Sequence, residues 1–325
     1  MKEEQMPRRR FLKIIGAATA AASMTKHYVA PRSAAAAPTP PGALRFGVQT
    51  SPQHTTYADI LQVWREADEL GFDTAFAFDH FIPIGGDPNG PCFEGWTLLS
   101  ALAAQTKRLK VGLLVTGNTY RNPAVLAKMA ATVDHVSNGR VILGIGAGWY
   151  EREHTAYGIP FSTASGRAHQ LVEAVQVIKL LFTQDKSNFN GKYYQLKDAP
   201  FSPKTVQQPH PPILIGGMGQ QVVQPLAARH ADMWDFFAGD PEQAKQLNAN
   251  FDKICQRVGR DPAQVVRSTS LQASQLRGDK DAVRGRIQGF ADAGVQHFVL
   301  ALSAPYDREF LRRFAKEVMP TFRQA

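Results

Sequence analysis

The chain contains only two cysteines, Cys92 and Cys255, in 325 residues. Their separation fits neither a zinc site nor a redox pair, and two cysteines do not make a disulfide framework. An exported location would permit one bridge between them, but we expect buried free thiols. The sequence therefore predicts no metal centre and no disulfide-held fold.

The chain also lacks a strongly apolar run of membrane-spanning length and a basic cluster interleaved with aromatic residues. The uncharged run Ile14–Thr25 is short and alanine-rich, whereas a bilayer span needs ~20 strongly apolar residues. Without a basic, aromatic cluster we expect no nucleic-acid binding. Residues 1–37 carry +5 of the formal net charge of +9, which leaves about +4 dispersed over the remainder. Such a modest charge favours an anionic small-molecule ligand.

The N-terminus does contain a twin-arginine pattern, Arg8-Arg9-Arg10-Phe11-Leu12-Lys13. An alanine-rich segment follows it, and small residues at Ser33–Ala37 mark a cleavage zone. The twin-arginine (Tat) export machinery carries folded proteins, often with a cofactor already loaded. We therefore expect a Tat signal peptide at 1–37, a linker at 38–43 and one domain at 44–325. The domain would act in the periplasm, outside the cell or at the cell envelope, with the signal either cleaved or kept as an anchor.

Short β-branched runs alternate with longer amphipathic stretches along the domain. Helix starts and ends are marked by capping residues before proline and by glycines such as Gly71, Gly139 and Gly294. Eight such strand-then-helix units predict a closed parallel (β/α)8 TIM barrel. The predicted strands are 44–49, 74–78, 109–116, 141–146, 213–216, 232–236, 265–271 and 297–302. The predicted helices are 57–70, 95–105, 123–136, 166–182, 220–229, 241–258, 280–293 and 308–318.

One segment, Lys186–Pro212, interrupts this alternation. It contains Phe189-Asn190-Gly191-Lys192-Tyr193-Tyr194, which is a hairpin signal, and then several prolines. We expect an insertion that covers the barrel mouth, where loops carry function.

Active groups of a TIM barrel gather at the carboxyl ends of its strands. The second predicted strand ends at Asp79-His80, and an imidazole held in one tautomer by a carboxylate suits proton transfer. The alternative is a histidine that only hydrogen-bonds the barrel rim. The fifth strand runs into Gly216-Gly217-Met218-Gly219, whose unhindered N–H groups before a helix form a natural phosphate cradle or, alternatively, a tight turn. The run 144–148 lacks the glycine spacing and distal acid of a dinucleotide fingerprint.

Several motifs together resemble the bacterial-luciferase-like oxidoreductases, which are flavin or deazaflavin enzymes on a TIM barrel. These motifs are Phe78-Asp79-His80-Phe81, the run 116–123 (TGNTYRNP), the block 134–157 and the run 212–217 (PILIGG). The resemblance covers essentially the whole domain and is greatest to the branch assigned to coenzyme F420.

The resemblance implies the site residues and the cofactor. His80, oriented by Asp79, would exchange a substrate proton while hydride moves to or from the deazaflavin. A non-prolyl cis peptide in a β-bulge, which we place at Leu114-Val115, would brace the ring. The cofactor phosphate would lie at Gly216–Gly219, and a homodimer is also suggested. Further cofactor-binding positions implied by the resemblance are Thr116, Asn118, Gly146, Gly148 and Trp149.

The chain departs from the sugar-phosphate-oxidising branch at two positions. That branch has a glutamate after the glycine run and a tryptophan after the histidine motif, where this chain has Trp149 and Ile84. We therefore expect no sugar-phosphate substrate. Glu151 and Glu153 lie nearby; the alternative is that one of them faces the pocket, but we expect both on a solvated helix face. An aromatic pocket of Trp149, Trp96 and Phe81 would suit a hydrophobic or conjugated small molecule.

Two other functions remain open at this stage. One is a monooxygenase on the same barrel that uses reduced FMN. The other is a non-catalytic barrel that stores or carries a cofactor or ligand.

Overall fold

The computed structural model describes residues 44–276 and 278–323. The predicted signal peptide at 1–37 and the linker at 38–43 lie outside the described residues. Within the described part, no helix is both long and apolar enough to span a membrane.

In the described part of the chain, nine short strands form one sheet, and two more form a separate hairpin. The sheet strands are β1 (Arg45–Thr50), β2 (Thr74–Ala77), β3 (Lys110–Leu113), β4 (Thr116–Gly117), β5 (Val141–Gly146), β8 (Ile213–Gly216), β9 (Met233–Phe236), β10 (Val266–Gln272) and β11 (His297–Leu302). The hairpin consists of β6 (Lys186–Asn190) and β7 (Gln195–Pro200). Every predicted barrel strand is present, with bounds that agree to within a few residues.

The sheet closes into a barrel of eight parallel strands, because β4 continues β3 along the same edge of β5. The strand order is β3-β2-β1-β11-β10-β9-β8-β5-β4, and β3 also pairs with β5. Val111 pairs with Val141, but Thr116 pairs with Ile145, so β3–β4 contains one extra residue relative to β5. This is a β-bulge. The predicted TIM barrel is confirmed.

Helices cover the outside of the barrel. They are α1 (Tyr57–Glu69), α2 (Gly95–Ala104), α3 (Pro123–Val136), α4 (Glu151–Ala156), α5 (Ala164–Thr183), α6 (Val223–His230), α7 (Pro241–Arg257), α8 (Lys280–Asp292) and α9 (Arg308–Glu317). Side chains of Asn122 and Asp240 cap α3 and α7 just before a proline, as predicted. The helix α4 was not predicted.

Apolar residues form two layers, one on each side of the strands. The outer layer fills the space between strands and helices and includes Trp64, Trp234 and Phe298. The inner layer fills the barrel and is smaller: Phe76, Leu114, Ile142, Leu214, Met233 and Val299. Alternate strand residues point inward and outward, so each strand serves both layers. The inner layer does not fill the mouth of the barrel, so a ligand can bind there.

The insertion 186–212 packs mainly against the helices and contributes no residue to the lining of the cavity at the mouth, contrary to our expectation, although its Tyr194 hydroxyl reaches Asn118 at the edge. The Glu173 side chain on α5 accepts backbone N–H bonds from Lys192, Tyr193 and Tyr194, which fixes the hairpin turn against that helix. Further along, the Gln207 side chain donates to Asp134 on α3. These contacts hold the segment along the outside of α3 and α5.

Both cysteines are free thiols. Cys255 is buried as predicted, whereas Cys92 is only partly buried beside the backbone of His80.

Candidate active site

A cavity of about 400 Å³ opens at the carboxyl ends of the strands. Loops after β1, β2, β5 and β11 form its walls, and the β3–β4 bulge forms part of its floor. Among the described residues that line it there is no lysine or arginine. Its lining comprises Gln49, Ser51, Gln53, Phe78, Asp79, His80, Ile84, Gly85, Leu114, Val115, Gly117, Tyr120, Gly148, Trp149, Gln272, Ala301, Leu302 and Ser303.

His80 lies in the loop after β2, at the wall of this cavity. Its side chain is largely buried, and Nδ1 lies 2.6 Å from Oε1 of Glu153. A carboxylate can only accept, so Nδ1 carries the hydrogen and Nε2 is left as the basic nitrogen. The rings of Trp149 and Tyr150 meet the imidazole edge-on, with centroids 5.8 and 5.9 Å away.

Glu153 is fully buried, although we expected it on a solvated helix face. Its Oε1 also accepts a hydrogen bond from the Tyr120 hydroxyl, and its Oε2 accepts one from the Phe81 N–H at 2.8 Å. Burial by itself would raise the pKa of Glu153, but the bonds from His80, Tyr120 and Phe81 lower it overall. Burial and the bond to Glu153 raise the pKa of Tyr120. The His80–Glu153 pair therefore consists of an imidazole and a glutamate anion, and the neutral phenol of Tyr120 donates a hydrogen bond to that anion.

Asp79 does not orient His80, which corrects our sequence interpretation. Its carboxylate is fully buried and pairs with Arg121, with Nη1 to Oδ2 at 2.5 Å and Nη2 to Oδ1 at 3.2 Å. It also accepts from the Thr116 hydroxyl and from the Gly95 N–H. Arg121 continues to Glu94, the cap of α2. Asp79 therefore anchors the loop that carries His80, and Glu153 is the carboxylate that contacts the imidazole.

The peptide bond between Leu114 and Val115 is cis, as the resemblance implied. The Gln49 side chain donates to the Leu114 carbonyl at 2.7 Å. The Val115 side chain points into the mouth towards Gly146 and Gly216. A Cβ at these glycines would lie 2.9 Å and 3.0 Å from Val115 methyl carbons. Because Gly146 and Gly216 have no side chain, Val115 has room to form part of the floor of the cavity.

The glycine loop 216–219 follows β8 and leads into α6. Gly217 adopts a φ of +129°, a conformation that side chains rarely allow, and Met218 and Gly219 are exposed. The helix α6 begins at Val223 rather than near Gln220, and its cap residue Val222 supplies no side-chain hydrogen bond. The Gln224 N–H already donates to the Gly219 carbonyl at 2.9 Å, and Pro225 has no N–H. The backbone N–H groups left for other partners therefore include those of Met218 and Gly219 in the loop and of Val223 at the start of α6.

The remaining predicted residues lie around the same mouth. Trp149 is 62 % exposed and stands at the cavity rim, next to Gly148. Thr116 is buried, and its hydroxyl donates a hydrogen bond to Asp79 instead of facing the cavity. The buried Asn118 donates to the Tyr194 hydroxyl at 3.3 Å, while its Oδ1 has no hydrogen-bond partner. No cluster of three or more metal-ligating side chains occurs among the described residues.

Sequence reasoning missed Tyr120 and Arg121 as parts of this site, and it preferred a solvated helix face for Glu153 over a place in the pocket. The runs that contain them were quoted as motifs, but nothing in a single sequence pairs Glu153 with His80 across 73 residues. The six-residue α4 is also too short to show a helical period.

Comparison with known proteins gives one family and several relatives. A family profile described as luciferase-like monooxygenase matches residues 34–317. An F420-dependent glucose-6-phosphate dehydrogenase of Amycolatopsis mediterranei is 28% identical, over 86% of this chain and 99% of the relative. An FMNH2-dependent dimethylsulfone monooxygenase of Pseudomonas putida is 29% identical, over 67% of this chain and 62% of the relative.

Solved structures share the fold. An F420-dependent secondary alcohol dehydrogenase, in complex with an F420–acetone adduct, superposes with a TM-score of 0.77 at 23% identity. The superposition covers 86% of this chain and 99% of the other. The F420-dependent tetrahydromethanopterin reductase of Methanopyrus kandleri gives a TM-score of 0.73 at 18% identity, over 86% of this chain and 99% of the other.

Proposed function

Because the chain belongs to the luciferase-like monooxygenase family, we propose that it is an oxidoreductase that uses coenzyme F420. It would transfer a hydride between the deazaflavin and a neutral, apolar or conjugated small molecule. Two relatives aligned over 86% of this chain are F420-dependent dehydrogenases, which supports this cofactor. The observation that carries the proposal is the His80–Glu153 pair at the wall of the mouth cavity, beside the Leu114-Val115 bulge.

The residues around the mouth fit a tricyclic redox ring. Val115, set between Gly146 and Gly216, offers a flat apolar support. The loop residues Met218 and Gly219, together with Val223 at the start of α6, offer backbone N–H groups to a phosphate. The unpartnered Oδ1 of Asn118 is a further polar atom at this edge of the barrel.

The side chains of this protein supply binding and proton transfer. When bound, the deazaflavin supplies hydride chemistry at its ring carbon C5. In the oxidising direction, Nε2 of His80 accepts the proton of a substrate hydroxyl, and in the reducing direction it returns that proton. Glu153 stabilises the imidazolium that forms and keeps Nδ1 protonated. Phe78, Trp149 and Ile84 line the cavity and give it an apolar wall.

We infer the substrate class from the charge of the cavity lining and from the residues at positions 149 and 84. A phosphorylated substrate needs cations, and no lysine or arginine is among the described residues that line the cavity. Trp149 and Ile84 replace the glutamate and tryptophan expected of the sugar-phosphate-oxidising branch. A neutral substrate with an apolar body and a hydroxyl or carbonyl group suits this lining.

The second candidate is a monooxygenase that uses reduced FMN. The Pseudomonas putida relative favours it, since that protein is an FMNH2-dependent monooxygenase. A third, non-catalytic carrier barrel would bind a cofactor without turning over. Cofactor binding by the wild type without turnover of any substrate would point to that carrier, whereas retained activity in His80→Ala with unchanged cofactor binding would point to a wrong assignment of the acid–base residue.

We further propose that residues 1–37 direct export by the twin-arginine machinery, and that the mature protein forms a homodimer. The Arg8–Lys13 pattern supports export. Replacing Arg8, Arg9 and Arg10 with lysine should retain the protein in the cytoplasm, as measured by cell fractionation. Sedimentation of the purified domain would test the dimer.

Two turnover assays decide between the leading candidates. We expect F420 absorbance to fall when purified protein is mixed with F420 and a panel of neutral alcohols. We expect no oxygenated product when the protein is mixed with reduced FMN, oxygen and the same panel; free reduced FMN consumes oxygen by itself, so the product and not the oxygen is measured. Formation of an oxygenated product with reduced FMN, and no F420 reduction, would overturn the proposal.

A further inference from the structure

Four polar side chains form a hydrogen-bonded chain across the barrel interior, apart from the groups described above. Oδ2 of Asp235 on β9 accepts from the Ser268 hydroxyl at 2.8 Å. The Ser268 oxygen lies 2.9 Å from Nδ1 of His297, and Nε2 of His297 lies 2.9 Å from the Thr74 hydroxyl. Ser268, His297 and Thr74 are all buried. The bonds among Ser268, His297 and Thr74 therefore satisfy groups that solvent does not reach.

A glycine on β1, Gly47, leaves room for this hydrogen-bonded chain. Gly47 on β1 lies between β2, which carries Thr74, and β11, which carries His297. A Cβ at Gly47 would lie 1.9 Å from the Thr74 hydroxyl oxygen. Thr74 can reach His297 only because position 47 is glycine.

The Asp235 end of the chain is open. Asp235 pairs in register with Gly216 on β8 and with Ser268 on β10, so its side chain points inward. The outer face of the sheet is covered by helices, and the partly exposed carboxyl therefore faces the interior. Its Oδ1 has no hydrogen-bond partner among the described residues. β9 is four strands from β2 around the barrel, so Asp235 lies on the wall opposite the strand that leads to His80, beside Gly216 at the start of the glycine loop.

The environment of Asp235 allows it to hold a proton near neutral pH. Burial raises its pKa to about 7, although the bond from Ser268 acts in the opposite direction. Among the described residues no charged side chain shifts this pKa, and the neighbours of Asp235 in register on β8 and β10 are Gly216 and Ser268. His297 on β11 is neutral, since burial and then the charge of Arg45 lower its pKa to about 3. A hydroxyl and a neutral imidazole can each reverse their donor and acceptor roles, so the chain remains bonded in both states of Asp235.

We propose that Asp235 is a cofactor-contacting residue whose Oδ1 hydrogen-bonds a neutral polar group of the bound deazaflavin. This inference rests on the proposed function. The protonated carboxyl is a donor that adds no charge, whereas a carboxylate beside a phosphate-bearing ligand is repelled by it. Ligand binding therefore favours protonated Asp235, and Ser268, His297 and Thr74 position the group.

The test is equilibrium binding of F420 between pH 6 and pH 8, followed by the fluorescence of the cofactor. We expect wild-type affinity to fall about threefold to tenfold from pH 6 to pH 8. Asp235→Asn, which holds the same shape without a titrating proton, should show a much flatter curve. Titration of the ligand itself is common to both proteins, so the difference between the curves measures Asp235. Asp235→Leu should weaken binding about tenfold at pH 6.

Asp185→Asn, an exposed acid outside the barrel, is the matched control and should behave as wild type. Wild-type affinity in Asp235→Leu together with an unchanged pH slope in Asp235→Asn would overturn the inference and leave the proposed function intact. If Asp235→Leu does not fold, as judged by circular dichroism, the Asp235→Asn curve decides alone. A wild-type protein that binds neither F420 nor FMN would overturn the proposed function, and the inference with it.

Discussion

Nδ1 of His80 lies 2.6 Å from Oε1 of Glu153, although 73 residues separate them in the chain. His80 follows β2, and Glu153 lies on the short helix α4 after β5. The barrel brings the two loops together at one mouth, where the Phe81 N–H also binds the carboxylate. The contact fixes the imidazole tautomer and directs its basic nitrogen away from Glu153.

Replacing Glu153 with glutamine tests this contact. Loss of a charge-assisted hydrogen bond is worth roughly 1.5–3 kcal/mol, so we expect kcat to fall about 10- to 100-fold. The affinity for F420 should be unchanged, and the pH profile of kcat should shift because the imidazolium loses its counter-charge. Glu151→Gln, at an exposed neighbour on the same helix, is the control and should match wild type. Wild-type kcat with an unshifted pH profile in Glu153→Gln would rule out the positioning role.

Asp79→Asn should behave as a structural change. The buried Asp79 carboxylate pairs with Arg121, so we expect the free energy of unfolding to fall by about 1.5–3 kcal/mol. Because Asp79 does not touch the imidazole, the pH profile of kcat should keep its shape. Urea denaturation and initial rates measure the two effects. A shifted pH profile at unchanged stability would instead restore Asp79 as the partner of His80.

The barrel was predictable from local signals, whereas the contacts at its mouth were not. Gly71, Gly139 and Gly294 adopt positive φ where helix ends were expected, because such turns are specified by a few neighbouring residues. The cis bond at Leu114-Val115 was found through the resemblance alone, since its sequence reads as an ordinary buried strand. The pairing of Asp79 with Arg121 joins different loops, and only the closed fold decides which carboxylate reaches which cation.

The hydrogen-bonded chain of Asp235, Ser268, His297 and Thr74 leads to a stability prediction at Gly47. Gly47→Ala would place a Cβ 1.9 Å from the Thr74 hydroxyl oxygen, and the resulting overpacking should cost about 1–3 kcal/mol of unfolding free energy. Gly285→Ala is the matched control, because nothing lies within 4 Å of the added Cβ in α8. That change should stabilise the protein by about 0.5–1 kcal/mol. Equal effects of the two substitutions in urea denaturation would contradict the close packing at Gly47.

The raised pKa of Asp235 also predicts how the free energy of unfolding depends on pH in the absence of a ligand. Its pKa rises from 3.8 to about 7 on folding, so the folded state binds its proton more tightly than the unfolded state. The stabilisation is fully present below about pH 4 and is lost as the pH rises through about 7. His297, with a pKa lowered to about 3, acts in the opposite direction as the pH falls below 6.5. Comparing Asp235→Asn with wild type isolates the first effect.

The measurement is urea denaturation at pH 5 and pH 8. Wild type should lose more free energy of unfolding over this interval than Asp235→Asn does. Parallel losses in the two proteins would mean that Asp235 does not titrate in the barrel.

The most direct test of the account is anaerobic titration of the purified protein with F420 and, separately, with FMN. The mouth formed by His80, the Leu114-Val115 bulge and the glycine loop predicts saturable binding of F420 that is tighter than binding of FMN. Tight binding of FMN with no affinity for F420 would contradict the account.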